Sequence, residues 1–291
     1  MTLKIKDFCT YEQQLDILRR RGLIIHDEAI ALRHLREKNY YRLSAYSLTL
    51  RSYNPCSGED HFHAGASFDD IVELYDFDEQ FRSVVLSACT IVETNLKAYV
   101  AYYHSQKYGS TGYLNKNFEV PWNHAKLLNA LSKSLHLRKD EPFVLHHHND
   151  LNDIYPVWVI VEVLSFDQIS MMYKNLLPTD RAAIAREFYG IPSRKYIENW
   201  THCAVVARNI AAHGARFYHR PRINPPAKLP KSINDYGTKP FGFIYAIYHL
   251  LPTSSRTQFV TNIQECFDSH PLAKPSELGF PLHWKEILIQ N

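Results

Sequence analysis

The residues best suited to chemistry in this chain are a guanidinium and an imidazole with four residues between them, Arg208 and His213, with Asn209 beside the arginine. Histidine titrates near neutral pH and can therefore give or take a proton. Arginine stays cationic and can stabilise negative charge on phosphoryl oxygens. An imidazole and a guanidinium held close together, with an amide to orient either of them, suit the cleavage of a phosphodiester.

The positive charge of the chain is concentrated around this pair. Between Asn199 and Asn234 there is no Asp or Glu, although the whole chain has a net charge of only +3. The cationic and titratable side chains of that span are Arg208, Arg216, Arg220, Arg222, Lys228, Lys231, His202, His213 and His219. Such a concentration is the electrostatic footprint of a nucleic-acid site. A solvated basic face after the C-terminus of a helix would give the same pattern.

The spacing alone is weak evidence for a site. With 17 arginines and 16 histidines in 291 residues, chance alone would supply a pair of this spacing, and the sequence has two. In the other pair, Arg21 and His26, Gly22 and the β-branched Ile24 and Ile25 intervene. Glycine and β-branched residues disfavour a helix, so we expect this pair to lie across a turn.

The pair Arg208 and His213 is predicted to lie at the end of a helix. Ser193 is a candidate N-cap, and Gly214 is a natural C-terminal stop. Between them an apolar stripe recurs at steps of three and four: Ile197, Trp200, Ala204, Ala207 and Ala211. On this helix Asn209 and His213 are neighbours one turn apart. Arg208 lies about 140° round the axis from His213, yet its length allows it to reach the same pocket.

The remaining sequence is also predicted to be helical. Thr10, Asp27 and Ser67 are expected to cap three helices at their N-termini. The predicted helices cover about 10–21, 27–36, 67–107, 122–137, 156–175, a short segment capped by Thr179, 193–213, 239–251, 255–268 and 282–289. Residues 58–65 are expected to form a polar loop, and a short hairpin near 43–53 is weakly signalled.

Several kinds of site are not supported by the sequence. The consecutive histidines at 146–148 do not share a helix face, and no spaced ligand completes a tetrahedral set, so we predict a polar turn and no metal site there. Glycine-rich phosphate loops and a nucleophile elbow are missing from the sequence, which leaves nucleotide-driven and acyl-transfer enzymes without support.

The composition predicts a soluble, cytoplasmic protein. Five cysteines are scattered without a CxxC pair, which fits a reducing compartment. The N-terminal residues contain no apolar signal core, and no run of 18 apolar residues occurs. We therefore expect no membrane association.

Beyond these local patterns, the chain resembles the abortive-infection (Abi) family of AbiD/AbiF type, a branch of the HEPN superfamily, over roughly residues 10–222. The residues that carry the resemblance are, in chain order, Thr10 with Gln13 and Leu15, Arg21-Gly22-Leu23, Asn39 to Tyr46, Gly65 with Ser67-Phe68, Leu74 to Asp78 with Arg82, Ile91 to Glu93 with Lys97, Pro156 with Trp158, Glu162 with Leu164-Ser165-Phe166, Trp200, and Arg208-Asn209 with His213, Arg216 and Arg220.

Two positions depart from the family's pattern. His213 is followed by Gly214, where the family often has a second histidine. Tyr218-His219-Arg220 stands where an aromatic residue, Asn and Arg are common. The arginine and the histidine of the motif are both present, so the resemblance still implies the family's activity, and His219 is expected to substitute for a missing polar side chain.

For the fold, the resemblance implies an all-α, HEPN-like helical bundle with additional N-terminal and C-terminal helices. We predict that residues 1–66 form a helical segment packed on the core. Residues 67–222 would form the HEPN-like core with the Arg-x4-His motif, and residues 223–291 a C-terminal helical extension.

For the function, the resemblance implies a phage-defence endoribonuclease that uses no metal or other cofactor. In HEPN nucleases the 2′-hydroxyl attacks the adjacent phosphate, leaving a 2′,3′-cyclic phosphate and a 5′-hydroxyl. The residues implied are Arg208, Asn209 and His213 for catalysis, Arg216, His219, Arg220 and Arg222 for RNA binding, and Glu93 as a support from the neighbouring helix. Because HEPN domains commonly pair, we expect a homodimer with one composite cleft that contains both copies of His213.

Other functions fit the same residues. The protein could be a non-catalytic RNA-binding protein held by a small noncoding RNA, or the toxin component of a toxin–antitoxin-like defence system. It could also contact an acidic protein partner through its basic segment. In the simplest alternative the protein is a helical scaffold and His213 is a core residue with satisfied hydrogen bonds.

Overall fold

The computed structural model describes residues 7–56, 58–115, 117–191 and 193–289. Over these ranges the chain is helical apart from one β-hairpin, which confirms the prediction of an all-α fold. The helices are α1 (Tyr11–Arg20), α2 (Glu28–Lys38), α3 (Tyr40–Ser44), α4 (Phe68–Tyr108), α5 (Pro121–Leu137), α6 (Pro142–Asp150), α7 (Val157–Val163), α8 (Phe166–Asn175), α9 (Pro178–Tyr189), α10 (Arg194–Ala212), α11 (Pro240–Leu250), α12 (Thr253–Ser269) and α13 (Trp284–Ile289). The hairpin consists of β1 (Arg51–Asn54) and β2 (Glu59–Phe62), and short 3-10 turns lie at Tyr46–Thr49, Gly112–Leu114, Lys231–Tyr236 and Pro275–Leu278.

The predicted helix starts are set by capping side chains. At α1 the Thr10 hydroxyl accepts the Gln13 N–H, and the Gln13 side chain accepts the Thr10 N–H in return. Ser67 and Asp70 form the same reciprocal box at the start of α4. Asp27 caps α2 by accepting the N–H of the third helical residue. Each cap satisfies backbone N–H groups that have no partner within the helix.

Helix α4 is the central element of the bundle. It is 41 residues long, and its buried side chains face α7, α8, α10 and α12. By length and apolar composition alone, α4 could also cross a membrane. Its buried stripe, which includes Phe77, Val85 and Leu96, instead packs into the core formed with those helices. This packing is compatible with a soluble protein.

The C-terminal helices share this core. Every residue of α11 is buried, and α11 packs along α10 and α4. Helix α12 also packs on α4, where Phe267 lies 5.2 Å from Phe77 between ring centroids. Phe280, which follows α12, contacts the Phe81 ring of α4. The described part of the predicted extension, residues 223–289, therefore completes the bundle, and the ends of the predicted terminal segments at 1–6 and 290–291 lie outside the described residues.

Three local predictions are wrong. The hairpin spans residues 51–62 rather than 43–53, with Gly58 at positive φ in its turn, so residues 59–62 form a strand instead of a loop. The histidines at 146–148 lie within α6 instead of a turn, because Pro142 starts a helix that continues through them. The helix expected over 156–175 is divided into α7 and α8, because the Ser165 side chain and Gln168 form a new capping box.

The start of α9 also differs from the prediction. Pro178 is its first residue and Leu177 its N-cap, whereas Thr179, the predicted cap, lies inside the helix. Proline is favoured at the first helical position because its missing N–H would have no helical partner there. At 12 residues, α9 is longer than the short helix expected.

Candidate functional site

The site lies where α10 ends, against α4. The helix begins after Ser193 and stops at Ala212, as predicted, and His213 is its C-cap residue. The His213 N–H donates to the Asn209 carbonyl at 3.0 Å, and Gly214 follows with a φ of 63°. A positive φ is readily available only to glycine, so Gly214 allows the chain to turn away from the helix. The His213 side chain is exposed at this turn.

Arg208 lies five positions before His213, on the side of α10 that faces α4. Its guanidinium is close enough to Cys89 to oppose the rise in thiol pKa that burial causes there. Its Nε is buried, and within the described ranges no hydrogen-bond partner reaches it. The buried arginines Arg82 and Arg181, by contrast, are each paired with a carboxylate. The Nε atoms of Arg51 and Arg181 are likewise buried without a hydrogen-bond partner, so Arg208 differs from them in having no carboxylate partner among the described residues.

Asn209 lies on the same open face of α10 as His213. His202, Val206, Asn209 and His213 follow one another at steps of four, three and four residues, and none of them is buried. Residues at these spacings lie one above another on a helix. The structure therefore brings Asn209 and His213 to one open surface, as the sequence predicts.

The segment that follows His213 is fixed by a buried carboxylate in α4. Asp78 accepts the backbone N–H groups of Phe217 and Tyr218 at 3.0 and 2.8 Å. It also accepts the Tyr46 hydroxyl at 2.8 Å and pairs with Arg82. Burial raises the pKa of the Asp78 carboxyl, while Arg82 and these donors act in the opposite direction.

Asp78 was not predicted as a site residue. Its signal in the sequence is the pair Asp78 and Arg82, four residues apart on one face of a predicted core helix. Removing one member of a buried ion pair costs about 3–5 kcal/mol, because the other charge stays buried without a partner. Asp78 therefore stabilises the turn that presents the motif.

The predicted RNA-binding residues divide into two groups. Arg216 donates to the Ala45 carbonyl and lies 5.9 Å from the centre of the Tyr46 ring, and burial lowers its pKa. Arg220 donates to the backbone carbonyl of Arg216 at 3.1 Å. Arg222, in contrast, is exposed. Of these three arginines, Arg222 alone has a solvent-exposed side chain, while the other two also hold the local fold together.

His219 is paired with a carboxylate, and Glu93 is paired with an amine. The Nδ1 of His219 lies 2.5 Å from a Glu277 oxygen, in the segment before α13. Glu93 forms an ion pair with Lys97 of its own helix at 3.1 Å. Glu93 and Arg208 both act on the Cys89 thiol, so Glu93 lies near the α4–α10 contact. Neither contact joins His219 or Glu93 directly to His213.

A residue that the sequence did not assign lies beside the motif. The Nη1 of Arg42, in α3, donates to the Gly214 carbonyl at 2.7 Å. This contact joins residues 172 positions apart, so local sequence patterns could not reveal it. The guanidinium of Arg42 is thereby held next to the exposed His213.

The exposed His213 places the candidate site at the surface of the molecule. A cavity of about 660 Å³ lies elsewhere, between α5 and α6, and its lining includes Leu131, Leu135, Val144 and His148 but no residue of the motif. In the described part of the chain, no group of three or more His, Cys, Asp or Glu side chains is placed to hold a metal ion.

Comparison with known proteins identifies the family. A family model described as Abi-like protein matches residues 33–219, which is more than half of the chain. Searches of curated proteins and of solved structures return no match. The chain therefore belongs to the Abi-like protein family, and this membership supports a role in abortive infection, a defence against phage.

Proposed function

We propose that this Abi-like protein is a HEPN-type endoribonuclease, acting in phage defence, that cuts RNA without a metal ion. One observation carries the proposal. Arg208 and the exposed His213 lie five positions apart at the C-terminal end of α10, and neither has a carboxylate partner among the described residues. A partly buried cation and an exposed imidazole, both unneutralised at one helix end, are suited to an anionic substrate.

The proposed reaction divides the proton transfers between two imidazoles. A base takes the proton of the ribose 2′-hydroxyl, whose oxygen forms a bond to the adjacent phosphorus. The bond from phosphorus to the 5′-oxygen breaks, and that oxygen takes a proton from an acid. The products are a 2′,3′-cyclic phosphate and a 5′-hydroxyl. Arg208 stabilises the charge on the phosphoryl oxygens, and Asn209 orients His213 or Arg208.

A cleavage assay with purified protein tests this proposal. The parent, incubated with labelled single-stranded RNA and a chelator, should cut the RNA. His213→Ala and Arg208→Ala should each fold normally and fail to cut. If both variants cut RNA as fast as the parent, the assignment is wrong.

Because one chain contributes one motif histidine, we propose that the active form is a homodimer with both copies of His213 in a composite cleft. The outward face of α4 supports this proposal. Its exposed residues between 83 and 102 are all uncharged and include Leu86, Ser87, Thr90, Ile91 and Thr94. The Thr90 and Thr94 hydroxyls donate to carbonyls of their own helix at 3.0 Å, so covering them leaves no donor unsatisfied. A charged side chain near a twofold axis would lie opposite the same side chain of the partner subunit and be repelled by it. An uncharged face avoids this repulsion.

Mixing subunits tests the composite cleft. Parent protein is unfolded and refolded, or co-expressed, with increasing amounts of His213→Ala protein. If both imidazoles are required, each mixed dimer is inactive, and the activity per parent subunit falls in proportion to the parent fraction. An activity per parent subunit that stays constant, together with a monomeric mass by light scattering, would contradict the composite site.

A non-catalytic, RNA-binding function is the second candidate. The observation that favours it is the single exposed imidazole at each motif, since a lone histidine cannot serve as acid and base at once. The protein would then grip RNA, such as a small noncoding RNA that restrains it. Tight binding of RNA without any cyclic-phosphate product would favour this candidate. A toxin role within a toxin–antitoxin-like pair is compatible with either function.

A further inference from the structure

Arg42 reaches the candidate site from a separate part of the chain. Its Nη1 donates to the Gly214 carbonyl at 2.7 Å, directly after His213. A Cβ at position 214 would lie 3.1 Å from the same Nη1 and 3.7 Å from Nη2, so the end of the guanidinium lies against this glycine. The Arg42 side chain is exposed.

The hydrogen bond to Gly214 leaves most of the Arg42 guanidinium available. Arginine carries five N–H donors in a rigid fork, and the contact with Gly214 occupies one nitrogen. Over the described residues, no carboxylate neutralises Arg42. Arg216 and Arg220 also donate to one backbone carbonyl each, but both side chains are partly buried, whereas Arg42 is exposed. Arg42 is therefore held in one position, while its positive charge stays accessible to an anion.

We propose that Arg42 is a further RNA-binding residue of this site, which contacts a backbone phosphate of the RNA held at His213. This inference rests on the proposed function. The Gly214 carbonyl anchors one side of the guanidinium and fixes its plane, and the remaining N–H groups donate to phosphoryl oxygens. A residue of α3 thus supplies part of the site whose other residues lie at the C-terminal end of α10.

Arg33 provides the matched control. It lies on α2 in the same N-terminal segment, its side chain is exposed, and its replacement by Ala removes the same charge as Arg42→Ala. Both substitutions are made in the His213→Ala protein, and affinity for a short single-stranded RNA is measured over a range of salt concentrations. Arg42→Gln, which retains an N–H donor for the Gly214 carbonyl, serves as a second variant if Arg42→Ala does not fold.

The slope of log affinity against log salt is the decisive readout. Loss of a phosphate contact should reduce its magnitude by about 0.7 to 1, because fewer counterions are released. Arg42→Ala and Arg42→Gln should show this reduction, Arg42→Lys should largely keep the parent slope, and Arg33→Ala should leave it unchanged. A merely structural role would weaken binding without lowering the slope.

Cleavage separates this inference from the proposed function. In the otherwise unaltered protein, Arg42→Ala should lower the cleavage rate about 10- to 100-fold, the loss expected for hydrogen bonds to a charged group. A parent that binds RNA but never cuts it ends the proposed nuclease function, while the salt slope still decides the role of Arg42. Slopes that are equal for Arg42→Ala and Arg33→Ala, or a parent that binds no RNA, would overturn the inference.

Discussion

Two regions of this molecule carry an arginine and a histidine at the same spacing, and their surroundings differ. Arg21 and His26 lie across the turn between α1 and α2, as expected from Gly22, which has a φ of 88°. Each has a carboxylate partner: Arg21 Nε lies 3.3 Å from Glu59, and His26 Nδ1 lies 2.8 Å from Asp69. This region is neutralised within the chain.

The second region lacks such neutralisation. Arg208 and His213 lie at the end of one helix, and no described acidic residue pairs with either of them. The buried carboxylate of Asp78 accepts backbone N–H groups of the following turn instead. Spacing therefore does not distinguish the two regions, whereas a shared helix end and the lack of carboxylate partners do.

The largest difference between the two regions should appear on removal of each histidine. His213→Ala should slow RNA cleavage by about 10²- to 10⁴-fold, the usual contribution of a general acid or base. His26→Ala, the matched control, should cut at the parent rate. Single-turnover cleavage of a labelled RNA measures both, and an equal loss in the two variants would erase the distinction.

Replacing the arginine of each region should give the same contrast in cleavage rate as replacing the histidine. Arg208→Ala removes a cation proposed to stabilise the developing phosphoryl charge, so we expect a loss of about 10²- to 10³-fold in rate. Arg21→Ala should leave the rate unchanged, because Arg21 is engaged with Glu59. Rates measured at saturating RNA separate this loss from weaker binding. If Arg208→Ala merely raised the RNA concentration needed for the half-maximal rate, Arg208 would be a binding residue.

Replacing Arg208 should lower the cleavage rate without lowering the free energy of unfolding. Arg208→Met keeps most of the volume and removes a buried N–H without a partner, so the free energy of unfolding should stay unchanged or rise by about 1 kcal/mol. Arg82→Met, which leaves Asp78 buried without its cation, should instead lower it by about 3–5 kcal/mol. Denaturant titration measures both. A loss of more than about 2 kcal/mol for Arg208→Met would indicate a structural role.

The smallest effect is expected on the free energy of unfolding when Arg21 or His26 of the first region is replaced. Arg21→Ala and His26→Ala each remove an ion pair with an exposed carboxylate, so each should change the free energy of unfolding by no more than about 1 kcal/mol. High salt should reduce even this difference, because it screens exposed charges. A larger, salt-resistant loss would mean that this pair also has a role that its surroundings do not explain.

Local signals in the sequence predicted much of the fold. The caps at Thr10, Asp27 and Ser67 and the stop at Gly214 lie where expected, because capping depends on residues within one turn of the helix end. The same kind of signal was overlooked at Ser165, where a capping box divides a predicted helix into α7 and α8.

Contacts between distant segments could not be predicted in this way. The sequence between Asn199 and Asn234 contains no acidic residue, yet the fold brings Glu277 to His219 and Asp78 to the turn after the motif. Arg42 reaches Gly214 across 172 positions. Periodicity describes which face of an element is buried, but it does not say which other element covers that face.

The chemical end groups of the cut RNA test the central claim most directly. Purified parent protein is incubated with RNA in the presence of a chelator, and the fragment ends are identified by mass spectrometry, with His213→Ala protein treated in parallel. We predict 2′,3′-cyclic phosphate and 5′-hydroxyl ends from the parent and intact RNA from the variant. Fragments with 3′-hydroxyl and 5′-phosphate ends, or the same fragments from both proteins, would contradict the assignment of Arg208 and His213 as the reacting pair.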